Sequence, residues 1–168
     1  MVHRSTDWIG EHVPGSDALG RPYSEELTIG RLYRQRGDAV LASGETMREK
    51  RSEIDPKTWY EYRQHGRSDA DTLLQRFGED RSSNRRFYRL DDEDAFIVRF
   101  EEDTRVPEGH VGYVAPKESL LSIGVHMHGS FVGADEPMTG GMLYLEDKVA
   151  LVGEDAAIAE LVVWEPDH

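Results

Sequence analysis

From Arg86 onward the chain is built of short apolar runs: RFYRL, AFIVRF, VGYVAP, VHMHG, GGMLYLE, KVALV and IAELVVWEP follow one another with turn residues between them. Each run is too short for a helix of ordinary length, and the turn signals recur at close intervals. A lone two-stranded hairpin cannot hide its apolar face from water, so strands like these must join into larger sheets. The pattern therefore predicts a mainly β fold: a sandwich, a jelly roll or a barrel.

Two earlier segments extend the reading. SEELTIGRLYRQ alternates around Leu27, Ile29 and Leu32 as a strand does, and AVLASG reads as a second strand ending at Gly44. Between them and the β-rich half, residues from about 55 to 78 read as a small helical insertion. Asp55 offers an N-cap with Pro56 in the first turn, and PKTWYEYRQH runs as a helix to Gly66. Ser68 caps a second helix, DADTLLQRF, which stops at Gly78. Residues 1–24 form a polar, turn-rich arm, and EDRSSNRR is a polar loop. With 168 residues, no internal repeat and no low-complexity linker, one β domain is expected.

Charge narrows the partners. The chain has 33 acidic and 20 basic residues, a formal net charge of −13, and lysine only at Lys50, Lys57, Lys117 and Lys148. Such a surface repels phosphate backbones and anionic membranes, so neither nucleic acid nor membrane is an expected partner. It suits a protein kept soluble in concentrated salt, where charges are screened within a few ångströms. A halophilic source is expected, with an ordinary acidic protein from a GC-rich genome as the alternative. The absence of cysteine excludes disulfides and thiolate metal sites. No apolar run approaches the roughly 20 residues that span a bilayer. MVHRSTDWIGEHVPG lacks the apolar core of a signal peptide, so no leader is expected.

One ordered set of residues carries a resemblance. Val98-Arg99, Val106-Pro107, Gly112, Pro116, Ser119-Leu120-Leu121, Gly124 and His128 follow in sequence, with IAELVVWEP after them and PYSEELTIGRLYR before. In order and spacing this set resembles the dUTPase and dCTP deaminase superfamily, above all its archaeal-type members. The likeness covers about two thirds of the chain and omits the arm and the helical pair. It implies a distorted jelly roll assembled as a homotrimer, with nucleotide sites between subunits. In such enzymes an Arg-Ser-Ser element cradles phosphates with a cation, hydroxyls and backbone N–H groups. An aspartate in a β-hairpin grips the deoxyribose and orients the attacking water. A second aspartate, in the early strand, helps to hold magnesium. A glutamate after the hairpin handles protons in the deaminases.

The chain departs from that pattern at the chemistry. Its phosphate element reads Lys117-Glu118-Ser119. Lysine keeps the cation but loses the planar fork of arginine. Glu118 sets a negative charge where a phosphate would lie, at a cost on the order of 1 kcal/mol or more. Alternatively, Lys117-Glu118-Ser119 simply opens a helix, with Glu118 favourable near its positive end. The hairpin reads GSFVGADEPMTGG, where Asp135 or Glu136 replaces the usual aspartate and no aromatic follows. A carboxylate misplaced by about 1 Å can lower a rate about a hundredfold. Glu26 stands at the magnesium aspartate's place, one methylene longer. The Arg81-Ser82-Ser83 string lies before the β-rich half and leads into no apolar helix, so it is discounted.

His126 and His128 alternate along a strand and share a face, which allows zinc or nickel if a third ligand arrives. Packed histidines near a trimer axis are the alternative. Elbow serine, P-loop, Rossmann and H-E-x-x-H motifs are absent from the sequence. The expectation is a trimeric, non-catalytic structural or interaction protein on a dUTPase-like fold, without a cofactor. A capsid-decorating or other virion component of a halophile virus would suit it, and the location is then virion or cytoplasm. Trp59, Tyr62 and Arg63 on the helical pair would form its interaction surface; alternatively, Trp59 and Leu73 simply pack the pair onto its own barrel. The alternative is a diverged dUTP pyrophosphatase or dCTP deaminase, with Lys117, Ser119 and Asp135 catalytic and Glu26 holding magnesium.

Overall fold

The computed structural model describes residues 23–35, 39–48, 51–66, 68–91, 94–134, 136 and 140–166. In chain order these form β1 (Tyr23–Gln35), β2 (Ala39–Ala42), β3 (Glu45–Arg48), β4 (Ser52–Ile54), β5 (Lys57–Thr58), α1 (Trp59–Gln64) and α2 (Ser68–Arg76). Then come β6 (Arg86–Asp91), β7 (Ala95–Phe100), β8 (Val111–Pro116), α3 (Glu118–Ser122), β9 (Val125–Met127) and β10 (Ser130–Val132). The last strands are β11 (Gly141–Leu145), β12 (Val149–Gly153) and β13 (Ala157–Trp164). The expected arm lies outside the described residues up to position 22, while Tyr23 and Ser24 already belong to β1.

Strand β1 organises the fold. Its buried residues Leu27, Ile29 and Leu32 are those read from the alternation. Register shifts at Leu27/Thr28 and between Ile29 and Arg31 bend it, so that its first half pairs with β13 and its second with β7 and β4. Gly30 makes the bend possible: a Cβ there would lie 2.8 Å from Glu101 Cα and N. The Glu101 amide donates to the Thr28 carbonyl at 3.0 Å, which locks β7 onto the bulge. The resulting curled antiparallel sheet has the order β10-β8-β13-β1-β7-β11-β9, with β4 on the free side of β1. Phe96, Val98, Leu143 and Leu161 fill its inside with the β1 residues. The fold is thus mainly β and jelly-roll-like, as the punctuated pattern requires.

A second sheet, β12-β6-β5, has two apolar faces. Tyr88 and Leu90 of β6, with Ala150 and Val152 of β12, turn to the main core. The alternate residues Phe87 and Leu151 turn the other way and receive Trp59, Tyr62, Ala70 and Leu74 of the helical pair. Each of these large side chains contributes roughly 1.5–3 kcal/mol by leaving water.

The helical pair corrects two expectations. The first helix begins at Trp59, not after Asp55: Thr58 caps it, and Thr58 and Glu61 form a reciprocal capping box. Residues 57–58 instead pair as β5 with β6. Helix α2 begins at Ser68, but the expected capping role of that side chain lies outside the described residues. Its end is as read: the Glu79 amide reaches back to the Leu74 carbonyl at 3.0 Å, and Gly78 holds φ +76. The second correction concerns exposure. Trp59 and Tyr62 are buried, 4% and 3% exposed, so they serve the protein's own core. The Trp59 indole donates to Asp71, and the Tyr62 hydroxyl donates to the Phe87 carbonyl at 2.6 Å. Of the three expected surface residues Arg63 faces solvent, as does neighbouring Tyr60.

Ion pairs bind the layers at their margin. Arg34 of β1 meets Asp94 at 2.8 Å and Asp91 at 3.4 Å, and Arg89 of β6 joins Asp91 to Asp69 of α2. The hairpin β2–β3 projects with Val40 and Leu41 exposed.

Candidate functional site

Pro116 closes β8, and Lys117 follows with extended backbone as the residue before α3. The Lys117 amide donates to the Ile158 carbonyl of β13 at 2.9 Å, which fixes the start of α3 against the sheet. Leu120 is buried and anchors the helix, so Glu118 and Ser119 are left exposed on its outer side. Ser122 donates to the Ser119 carbonyl at 2.7 Å.

The Lys117 side chain does not cap α3. It crosses the sheet to Glu26 of β1, Nζ to Oε1 2.6 Å. Sheet order explains the meeting. Strand β13 lies between β8 and β1, and Glu160 of β13 stands opposite both Ala115 and Glu26. Glu26 and Glu160 therefore share the outer face directly across the strand pair. The Lys117 hydrogen bond and charge hold the Glu26 carboxyl below its ordinary value of 4.5. Glu26 in turn raises the Lys117 ammonium above 10.5, with Glu160 adding to the effect. Neighbouring Glu25 points inward instead, is 3% exposed, and accepts from the Thr104 hydroxyl at 2.6 Å.

Two sequence-predicted residues, Glu26 and Lys117, are thus brought together from positions 91 apart. Ser119 lies two residues past Lys117 with its side chain exposed. Asp135 lies outside the described residues. Its neighbour Glu136 folds back on its own loop, its carboxylate accepting from the Gly133 amide at 3.2 Å. Val106 pairs in parallel with Ala134, which ties the Val106-Pro107 turn to that loop. His126 and His128 flank the Tyr144 ring at centroid distances of 5.1 and 5.5 Å. They share a face as read, but among the described residues no group of three histidines or carboxylates is placed to hold a metal.

The donors around Lys117 suit a hard divalent cation better. Glu26 and Glu160 offer carboxylate oxygens on one face, the chemistry magnesium selects, although Lys117 now competes for Glu26. Glu160 escaped the sequence reading. It is the polar residue within IAELVVW, a visible signal, but its neighbour across the sheet follows only from strand order.

No protein-family model matches the chain. Among curated proteins it is similar to two described as probable deoxyuridine 5'-triphosphate nucleotidohydrolase, from two strains of Halobacterium salinarum. Each is 29% identical over 73 residues, 44% of this chain and 44% of the relative. The match therefore spans less than half the length of those relatives.

Proposed function

We propose that the chain is a diverged deoxynucleoside triphosphate pyrophosphatase of dUTPase type, acting on dUTP in water to give the monophosphate and pyrophosphate. One observation carries the reading: Lys117 and Glu26, at the resemblance's phosphate and magnesium positions, meet at 2.6 Å. The partial similarity to probable dUTP nucleotidohydrolases supports it. Lys117 and Ser119 would hold phosphate oxygens. Glu26 and Glu160 would hold magnesium, which supplies charge neutralisation on the polyphosphate when bound. Asp135 would orient the water, and sites would form between subunits of a homotrimer. The Lys117–Glu26 pair does not bar this use. Exposed ion pairs contribute only about 0–1 kcal/mol, so a polyphosphate can displace one at little cost. The test is pyrophosphate release from dUTP and from dCTP with magnesium, in low and in molar salt. Turnover of dUTP that fails in Glu26→Gln is the expected result. Silence toward both nucleotides, together with no dUTP binding, overturns the proposal.

A second reading rests on charge. Lys117 faces Glu26 and lies beside Glu118 and near Glu160, so its neighbourhood is net negative before any phosphate arrives. On that reading the fold persists as a non-catalytic trimeric module in a larger assembly, such as a virion. Light scattering at three chain masses with no nucleotide binding would favour it.

A further inference from the structure

An apolar groove of about 550 Å³ lies between α2 and the end of α3, against β12. Leu73 of α2, Phe77 just past it, Ile123 after α3 and Val149 of β12 line it. It also reaches buried Leu74 and Phe87, so it is cut into the seam between the helical pair and the second sheet. At its mouth apolar surface is left open to water: Phe77 is 77% exposed and Ile123 43%. A concave, mainly apolar surface with a few polar groups, in the range of roughly 300–1,000 Å³, is the usual form of a small-molecule site.

Charge at the rim points to the occupant. The carboxylates there are already answered: Glu79 meets Arg85 at 3.6 Å, and Asp69 pairs with Arg89. The cations are not. Arg76 lines the groove and lies over the Phe77 ring, 5.6 Å from its centroid, with no ion-pair partner among the described residues. Lys148, just before β12, lines the adjoining hollow that shares Leu73 and Val149. It too has no ion-pair partner among the described residues, and it lies so close to Gly124 that a Cβ there would meet its ammonium. The chain carries a net charge of −13, yet it leaves these two cations beside apolar surface. The complement of such a rim is an anion with an apolar body.

We propose that this groove binds a single-chain aliphatic carboxylate, its chain against Leu73, Phe77, Ile123 and Val149 and its carboxylate on Arg76, with Lys148 adding positive charge. A guanidinium presents N–H donors in a fork that matches a carboxylate. The aliphatic chain removes the open apolar lining from water. A wholly polar anion would gain nothing from that lining, and an uncharged oil would leave Arg76 without a counter-charge. Neither Glu26 nor Lys117 lines the groove, and the inference does not depend on the proposed nucleotide activity.

Isothermal titration of the full chain with sodium decanoate, kept below its micelle-forming concentration, tests it. Salt of about 0.1 M leaves surface charges only partly screened, and circular dichroism at the same salt checks folding. Saturable one-site binding is expected, with decan-1-ol, the uncharged match, binding at least fivefold more weakly. Arg76→Gln, at an exposed position, should weaken decanoate about tenfold, the effect of one charge-assisted hydrogen bond, and leave decan-1-ol unchanged. Ile123→Asp, also at an exposed position, should weaken both by tenfold or more. Absence of decanoate binding, equal affinity for the alcohol, or decanoate binding unchanged in Arg76→Gln would each overturn the proposal. So would a fall in particle mass in Ile123→Asp, by light scattering, when the unaltered chain binds no decanoate: the groove would then be covered by a second copy.

Discussion

The helical pair and the Glu26–Lys117 corner are both fastened to the same β framework, but by opposite means. The pair is held by buried aromatic surface: Trp59, Tyr62 and Phe87 pack together, each no more than 9% exposed. The corner is held by an exposed ion pair between two strands' worth of polar residues. Burial fixes geometry strongly and leaves little to react. Exposed charge fixes geometry weakly and remains available to a ligand. Substitutions in the first region should therefore act on stability, and those in the second on binding.

Trp59→Ala should break the pair most severely. It removes a buried indole and its hydrogen bond to Asp71, and a loss of about 3–5 kcal/mol is expected in denaturant unfolding. A loss below about 1 kcal/mol would mean that the pair is not part of the cooperative fold.

Lys117→Ala should do the reverse. Stability should change by no more than about 0.5 kcal/mol, because the side chain pairs at the surface. Turnover of dUTP, as kcat/KM, should fall on the order of a hundredfold, the usual effect of deleting one group that stabilises charge in the transition state. Unchanged kcat/KM would remove Lys117 from the proposed phosphate site. Tyr62→Phe sharpens the contrast within the core. Its ring still packs, but the Phe87 carbonyl loses its donor, and about 1 kcal/mol of destabilisation is expected.

Much of this division was legible in the sequence, and the limits have physical causes. Alternation in β1 gave the inward set Leu27, Ile29 and Leu32, because the side-chain period of a strand is local. The same alternation missed β3, β4, β5 and β10, whose two to four residues are too few to show a period. The helical pair was found from its stop at Gly78, but its start was misplaced. Asp55-Pro56 looks like a cap, whereas Thr58 with Glu61 closes a reciprocal box. Trp59 and Tyr62 read as exposed because the chain gave no sign that β6 has a second apolar face to cover them. At the site, Glu26 and Lys117 were named separately. Their contact, and the part of Glu160, depend on β13 lying between β1 and β8, which is a property of topology.

The corner's weakness has a pH signature. The Glu26 carboxyl is held below 4.5 by Lys117, so the pair's small contribution is complete above about pH 4.5 and fades as pH falls through the lower folded value. The Lys117 ammonium is raised above 10.5, so at the alkaline end the contribution is complete below that pH and fades as pH rises through the higher folded value. Melting curves of the wild-type chain and Glu26→Gln should run parallel between these limits, separated by a constant small offset, and converge outside them. An offset that grows between pH 6 and 9 would place another titrating group against Glu26.

The smallest effect is expected on the solvent face of α1, where the two regions' rules meet. Tyr60 is 66% exposed, and its hydroxyl accepts from Gln64 of the same helix at 2.6 Å. Arg63 is exposed in the last turn. Neither belongs to the buried aromatic cluster, so Tyr60→Ala with Arg63→Ala should shift unfolding by no more than about 0.5 kcal/mol. Aromatic and arginine side chains are nevertheless those enriched at binding hot spots, so this face tests whether α1 does anything besides cover β6. Light scattering and melting should be measured on one sample of the double variant. An unchanged melt with a lower particle mass would show that Tyr60 and Arg63 join copies of the chain. A lowered melt with unchanged mass would show that α1 belongs to the core on both faces, and the contrast between buried and exposed attachment would fail at its own helix.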